Sequence, residues 1–243
     1  MLTLARDLRR RKGRERTGAF VAEGVRAVEE LLRSPLTVRG VLISPALGSA
    51  PALRAALTAR AVPVTEVDER EFATAADTES PQGVLAVADI PERGMDDIAG
   101  RGRILALDGV QDPGNVGTII RTAAAFGFAA TIALPGTVDL WNAKVVRSAM
   151  GAHFVHPAFA APWEALDGFR AASGMPLWAA DAGGAPIASP YPADVVLVVG
   201  NEGNGLSTEA RARADRLVSI PIHHVESLNV AVATGILLYE LRP

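Results

Sequence analysis

The chain has 243 residues, of which 49% are hydrophobic, and a formal net charge of −3. This length can bury a full core, in one large domain or two smaller ones. Charges and turn residues interrupt every window of about eighteen residues, which argues against a membrane-spanning helix. The absence of cysteine excludes disulfides and thiolate metal sites. Since the N-terminus also lacks the apolar run of a signal peptide, we expect a cytoplasmic protein.

The first sixteen residues are strongly basic. Seven arginines and lysines stand there against Asp7 and Glu15, although the whole chain is slightly acidic. Such a run is either a solvated helix end or a surface that contacts RNA phosphates. The candidate RNA-binding residues are Arg9, Arg10, Arg11, Lys12 and Arg14.

The first ninety-five residues alternate between strand and helix patterns. Apolar periodicity predicts strands at 19–22, 38–43, near 64 and at 83–88, and helices at 25–32, 52–60 and 69–75. This alternation predicts a small α/β domain with a mostly parallel sheet. The polar segment DIPERGMDDIAGRGR suits a linker, so we predict two domains, 1–95 and 96–243.

The second half repeats the alternation more strongly. Its predicted strands and helices indicate another α/β unit. The strands are expected at 103–110, 129–135, 176–182, 194–200 and 216–222, and the helices at 115–127, 142–151, 163–172 and 227–241.

Residues 107–127, LDGVQDPGNVGTIIRTAAAFG, contain more polar detail than packing requires. Pro113 and Gly114 predict a turn, and Asn115 can cap the helix that follows. Arg121 interrupts an otherwise apolar helix. It is either a surface ion-pair partner or a group directed toward the strand ends, where open α/β sheets bind their ligands.

Residues 198–207, VVGNEGNGLS, run from a strand into a turn. The G-x-x-G-x-G spacing of Gly200, Gly203 and Gly205 matches neither the dinucleotide fingerprint nor the phosphate loop. Glycines here let the backbone approach a flat ligand, with Asn201 and Glu202 beside it as acceptors. The alternative is an ordinary tight turn with Ser207 as the N-cap of the next helix.

Residues 219–241, SIPIHHVESLNVAVATGILLYEL, predict a strand that stops at Pro221, a polar loop and a long apolar helix. Ser227 is the expected N-cap, with Asn229 in the first turn. Free N–H groups at that start could bind a carboxylate, or the segment is an ordinary capped helix. The four histidines of the chain follow no ligand spacing, so we predict no metal site.

These three stretches, called here the first, second and third motifs, resemble in sequence and order the SpoU (TrmH) family of RNA ribose 2′-O-methyltransferases, within the SPOUT class. The resemblance covers about residues 103–243. The segment FVAEGVRAVEELL is similar to the small α/β substrate-binding domain that precedes many members. One departure is the loop between Ile220 and Ser227, which is about one residue shorter than usual and leaves the cofactor contacts of 223–226 open.

The resemblance implies a C-terminal α/β domain with a trefoil knot and a mostly parallel sheet, preceded by a small α/β domain. It also implies a homodimer formed through the knotted domain. The methyl donor S-adenosylmethionine would bind between the second and third motifs. The implied cofactor-binding residues are Val198, Gly200, Asn201, Ile220, Pro221, Ile222 and Leu228.

The resemblance further implies that Arg121 helps to deprotonate the ribose hydroxyl. A free guanidinium has a pKa of about 12.5 to 13.8 and is a poor base, so an orienting role stays open. The residues implied to position Arg121 and the nucleotide are Asn115, Glu202, Ser227 and Asn229.

The predicted function is therefore methylation of a ribose 2′-hydroxyl in structured RNA, with ribosomal RNA favoured. Alternatives are a tRNA methyltransferase, an antibiotic-resistance rRNA methyltransferase and a non-catalytic RNA-binding protein. The last of these should have lost Arg121 or Glu202, and both are present. A nucleotide-dependent oxidoreductase would need a phosphate fingerprint after a strand, which the sequence lacks.

Overall fold

The structure is a computed structural model that describes residues 1–98 and 102–243. Residues 99–101 of the predicted linker lie outside the described residues. Contacts group the chain into two compact units, one of 1–92 with 141–155 and one of 93–140 with 156–243. The domain division at residue 95 stays a prediction. The contacts also group residues 141–155, which lie far beyond that division, with the first unit.

The first unit contains four strands and six helices among its described residues. Its strands are β1 (Ala19–Glu23), β2 (Val38–Ile43), β3 (Val64–Glu66) and β4 (Val84–Asp89). Its helices are α1 (Leu2–Leu8), α2 (Arg11–Thr17), α3 (Val25–Arg33), α4 (Pro51–Ala59), α5 (Glu69–Ala75) and, from the later segment, α7 (Ala143–Ser148).

The second unit carries the site. Its strands are β5 (Ile104–Asp108), β6 (Ala130–Ala133), β7 (Ala158–Ala160), β8 (Leu177–Pro186), β9 (Val196–Gly200) and β10 (Arg216–Ser219). Its helices are α6 (Pro113–Ala125), α8 (Trp163–Ser173), α9 (Thr208–Arg213) and α10 (Val230–Glu240). The three-residue strand β7 was not predicted, and α9 was expected only in the alternative in which Ser207 caps the next helix.

The sheet of the first unit has the order β1-β4-β2-β3. Only β2 and β3 are parallel, while β4 runs antiparallel to both β1 and β2. The prediction of a mostly parallel sheet is therefore wrong for this unit. An alternating strand and helix pattern does not fix direction, and after α5 the chain inserts β4 between two strands that are already parallel to each other.

The segment 141–155 joins the first unit through aromatic side chains. The Phe20 ring lies 4.5 Å from the Trp141 ring and 5.8 Å from the Phe154 ring, measured between centroids. Arg147 pairs with Asp77 at 3.3 Å. Large buried rings dominate packing energies, so this short segment is an integral part of the first core.

The sheet of the second unit has the order β10-β8-β9-β5-β6-β7, and every neighbouring pair is parallel. The predicted mostly parallel sheet is thus confirmed here. Its central strands are buried, as parallel sheets covered on both faces require. The knot that the resemblance implies stays a prediction.

Two helix starts differ from the predicted ones. Asp112 caps α6 by accepting the Asn115 N–H at 2.8 Å, and Asn229 caps α10 by accepting the Ala231 N–H at 2.9 Å. Asn115 and Ser227 were therefore wrong as N-caps, because a neighbouring residue of equal capping strength takes the position. Ser207 is confirmed as the N-cap of α9.

Throughout the part of the chain that the structure describes, no helix combines the length and the apolar character needed to cross a lipid bilayer.

Candidate active site

The three motifs meet at the carboxyl ends of β5 and β9. Glu202 accepts the Asn115 Nδ2–H at 3.0 Å, and Asn229 Nδ2 donates to Asn115 Oδ1 at 3.1 Å. Asn115 thus uses both ends of its amide, one toward each of the other motifs. Its side chain is free for this because Asp112 caps the helix.

Glu202 is an anchoring carboxylate. Besides Asn115, it accepts the backbone N–H groups of Gln111 and Asp112, each at 3.3 Å. Burial raises the pKa of Glu202, but the hydrogen bonds from Asn115 and from backbone N–H groups outweigh it and hold the pKa below its ordinary value. Glu202 is therefore ionised at neutral pH, and it holds the first motif rather than serving as a base.

A second set of contacts joins the same two loops. The buried Asp108 carboxylate accepts the Ser207 N–H at 2.6 Å, and Asn201 Nδ2 donates to the Gly109 carbonyl at 2.8 Å. Asn201 Oδ1 also accepts the Gly203 N–H at 2.9 Å. The first and second motifs are consequently one hydrogen-bonded body.

The three glycines of the second motif differ in whether the turn could accommodate a side chain. A Cβ on Gly200 would lie 2.5 Å from the Gly205 carbonyl oxygen and 2.6 Å from the Leu206 nitrogen, so the turn folds back against it. Gly205 has a φ of 65°, which favours glycine. A Cβ on Gly203 would meet only Asn201 Oδ1, at 3.6 Å.

A cavity of about 610 Å³ lies between the second and third motifs. Six of the predicted cofactor-binding residues line it: Gly200, Asn201, Ile220, Pro221, Ile222 and Leu228. Val198 does not, because side chains alternate along β9. Val198 is buried in the core of the unit, and Val199 lines the cavity instead.

Of the predicted catalytic residues, Glu202 and Ser227 also line the cavity. In the loop that precedes Ser227, His223 and His224 are exposed, as expected, and Glu226 lines the cavity.

Arg121 lies apart from this network. It is exposed on α6, does not line the cavity and has no hydrogen-bond or ion-pair partner among the described residues. Six residues of helix place it about 9 Å beyond Asn115 along the axis and roughly 120° away around it. The single chain therefore does not bring Arg121 onto the Glu202–Asn115–Asn229 network.

Family models match both parts of the chain. The model described as the SpoU rRNA Methylase family matches residues 102–239, and the MRM3-like substrate binding domain matches residues 4–86. The chain belongs to the SpoU family.

Among the relatives of this SpoU protein, the 23S rRNA (guanosine(2553)-2′-O)-methyltransferase RlmP of Bacillus subtilis (strain 168) is 35% identical over 240 residues, which cover 98% of this chain and 94% of RlmP. An AdoMet-bound rRNA methyltransferase from Sinorhizobium meliloti is 32% identical with a TM-score of 0.86, over 99% of this chain and 93% of that one. The SpoU methyltransferase AviRb from Streptomyces viridochromogenes, in complex with AdoMet, is 29% identical with a TM-score of 0.86, over 99% and 96%.

Sequence reasoning missed one wall of the SpoU cavity. Ala180, Asp181 and Ala182 of β8 line it, as do Ala233, Thr234 and Leu237 of α10. The consecutive glycines Gly183 and Gly184, which directly follow the strand predicted at 176–182, were the available signal, because glycine next to a strand pattern can mark a bulge.

The basic N-terminal residues form α1 and α2, which fold onto the first unit of the SpoU chain. Arg14 is only 4% exposed and donates to the Leu8 carbonyl at 2.7 Å, so it closes the corner between the two helices. The other four predicted RNA-binding residues, Arg9, Arg10, Arg11 and Lys12, are exposed. Arg14 is therefore unsuited to RNA contact, and the predicted contact of this segment is left to exposed residues such as those four.

The described residues hold no group of three or more His, Cys, Asp or Glu side chains that could bind a metal ion. The predicted lack of a metal stays a prediction.

Proposed function

We propose that this SpoU protein transfers a methyl group from S-adenosylmethionine to a ribose 2′-hydroxyl of ribosomal RNA. The observation that carries the proposal is the Glu202–Asn115–Asn229 network, which joins all three motifs beside one cavity. RlmP, which matches nearly the whole chain, is named as a 23S rRNA 2′-O-methyltransferase, and the Sinorhizobium meliloti protein is named as an rRNA methyltransferase; both names support the same reaction.

The cavity fits the proposed cofactor. Its volume lies within the range of about 300–1,000 Å³ that is common for small-molecule sites. Apolar side chains such as Val218, Ile220 and Leu228 can cover an adenine. The described lining residues include the carboxylates of Glu202 and Glu226 but no lysine or arginine, which suits a cationic sulfonium better than a phosphate.

When bound, the cofactor supplies an electrophilic methyl group next to the second and third motifs. The ribose oxygen would take this methyl group as the carbon–sulfur bond breaks, S-adenosylhomocysteine would be the leaving group, and the hydroxyl proton would pass to solvent. The contribution of the protein is alignment, which can lower a barrier by several kcal/mol. In this proposal Asn115, Ser227 and Asn229 orient the nucleotide, and Glu202 fixes their loops.

Arg121 orients the hydroxyl and the adjacent phosphate in this proposal. Its exposed guanidinium presents donors in a planar fork that matches phosphate geometry. A partner subunit brings it to the reacting ribose, because in the single chain Arg121 lies away from the network.

A homodimer is the second part of the proposal. On α10, Val232, Ile236 and Tyr239 are 53%, 38% and 51% exposed, while Thr234 and Leu237 on another side face the cavity. A helix that is apolar all round belongs in a buried position. A second copy packing against this stripe would bury it. Light scattering of the purified protein tests this, and a monomer mass at micromolar concentration would reject it.

The exposed basic residues of α1 and α2 contact the RNA backbone in this proposal. A cytoplasmic location follows from the rRNA substrate.

The decisive experiment supplies the protein with S-[methyl-³H]adenosylmethionine and separate pools of unmodified rRNA and tRNA. We expect label in rRNA, at a 2′-O-methylated ribose that mapping by primer extension identifies. Label in tRNA alone would show that the substrate is tRNA and not rRNA. Absence of label in any RNA, with retained RNA binding, would favour a non-catalytic RNA-binding protein. Only a comparison of drug sensitivity with and without the gene separates a resistance role from housekeeping modification.

A further inference from the structure

Strand β8 leaves its ladder beside the cavity. Leu217 of β10 pairs with Ala179, but the next residue, Val218, pairs with Ala185, so residues 180–184 form an excursion. Gly184 permits the return of the chain, because a Cβ there would lie 2.6 Å from the Leu217 carbonyl carbon. Irregularities of this kind redirect side chains near functional sites.

The excursion carries one carboxylate to the cavity wall. The Asp181 side chain is 16% exposed and forms an ion pair with Arg211 of α9 at 2.5 Å. Asp181 Oδ1 also accepts the Gly183 N–H at 2.9 Å. A carboxylate has about four acceptor positions, so these two contacts leave acceptor capacity on Asp181, which lines the cavity.

Asp181 is ionised, and its negative charge is balanced by the positive charge of Arg211. Burial raises the pKa of Asp181, yet the Gly183 N–H and the Arg211 guanidinium outweigh it and hold the pKa below its ordinary value. Because Arg211 balances the negative charge, Asp181 has little attraction left for a cationic group. What remains is the capacity to accept hydrogen bonds from neutral donors.

We infer that Asp181 recognises the two ribose hydroxyls of the methyl donor, an assignment that rests on the proposed function. Vicinal hydroxyls present two adjacent donors, which match two free acceptor positions on one carboxylate. An acidic residue near the end of a strand binds ribose in dinucleotide folds by the same chemistry. Of the other two carboxylates that line the cavity, Glu202 is committed to the first motif, and Glu226 is exposed in the loop before Ser227.

The test is calorimetric binding of three ligands to the wild-type protein and to Asp181→Asn. The ligands are S-adenosylhomocysteine, 5′-methylthioadenosine, which lacks the amino-acid part, and 2′-deoxy-5′-methylthioadenosine. We expect Asp181→Asn to weaken the first two equally, by roughly tenfold or more, and the deoxy ligand much less. A loss confined to S-adenosylhomocysteine would overturn the inference, since Asp181 would then meet the amino-acid part.

Two further variants separate recognition from structure. Asp167→Asn is the matched control. It breaks an ion pair of 2.9 Å with Arg213, which lies on α9 like Arg211, and it should leave all three affinities unchanged. Arg211→Gln removes the partner but keeps the carboxylate, so it should lose less than Asp181→Asn. An equal loss would show that Asp181 only holds α9 and would reject direct recognition. If the wild-type protein binds none of the three ligands, the proposed function itself is rejected, whatever the variants show.

Discussion

Asn229 donates its side-chain N–H to the Asn115 side-chain oxygen at 3.1 Å, across 114 positions of sequence. The other end of the Asn115 amide donates to Glu202 at 3.0 Å. The network therefore has a direction, from the third motif through the first to the second. A substitution at Glu202 should therefore disturb the positions of both Asn115 and Asn229.

Glu202→Gln should lower kcat by roughly 10- to 100-fold, because an amide cannot accept all three N–H groups that converge on the carboxylate. Steady-state methyl transfer to the mapped RNA measures the effect. Glu209→Gln on the exposed face of α9 is the control and should behave as wild type. Undiminished turnover in Glu202→Gln would show that the network is dispensable.

Arg121→Ala should reduce methyl transfer by about 100-fold or more while leaving the affinity for S-adenosylhomocysteine unchanged, since Arg121 does not line the cavity. Arg121→Lys keeps the charge but loses the planar fork, so it should restore RNA binding more than turnover. Near-normal turnover of the alanine variant would remove Arg121 from the reaction.

Gly200→Ala should abolish cofactor binding, because the new Cβ would force the backbone of Gly205 and Leu206 out of the turn. Gly203→Ala adds the same methyl group in the same turn, where it meets only Asn201 Oδ1 at 3.6 Å, and should bind normally. Calorimetry with S-adenosylhomocysteine compares the two. Equal affinities would contradict a tight turn at Gly200.

Arg10→Glu combined with Lys12→Glu should weaken RNA binding and lower the salt slope by about two, if both side chains contact phosphates. Arg14→Gln should instead lower the free energy of unfolding, because Arg14 bonds the Leu8 carbonyl in a buried corner, and should leave the slope unchanged. Filter binding from low to high salt measures the slope. An unaltered slope in the double variant would place the RNA elsewhere.

His156 makes stability depend on pH. Burial, with a smaller contribution from Arg93, lowers the pKa of His156 from 6.5 to about 4. The unfolded chain takes up this proton near pH 6.5 and the folded chain only near 4, so the free energy of unfolding falls as pH drops through that window, by about 3 kcal/mol. His156→Gln can keep a bond to Thr131 but does not titrate. Urea unfolding at pH 7 and 4.5 should give a smaller pH difference for the variant; equal differences would contradict the shift.

Local sequence patterns were enough to predict most helices and strands of this fold, but they could not predict how distant strands pair. The strand at 38–43 and the helix at 69–75 have the predicted bounds, because apolar periodicity is a local signal. The direction of β4 depends on which neighbours it inserts between, which no local signal reports.

The site divides in the same way. The resemblance was enough to name Asn115, Glu202 and Asn229, and the structure brings these three together. Gly183 and Gly184 could have suggested a bulge, but not that Asp181 enters the cavity, because that depends on the register of β8 against β10, which lies nearly forty residues later. Arg14 looked like its basic neighbours in sequence, and only burial distinguishes it.

The position of β9 has a consequence for synthesis. This strand lies between β5 and β8. Residue 104 of β5 therefore cannot pair with β9 until residue 196 has been synthesised. Pairings so distant along the chain slow folding. While the ribosome is still extending the polypeptide, β5 and β6 would expose an open hydrogen-bonding edge, so nascent chains of this protein should depend on chaperone shielding until their last fifth has emerged.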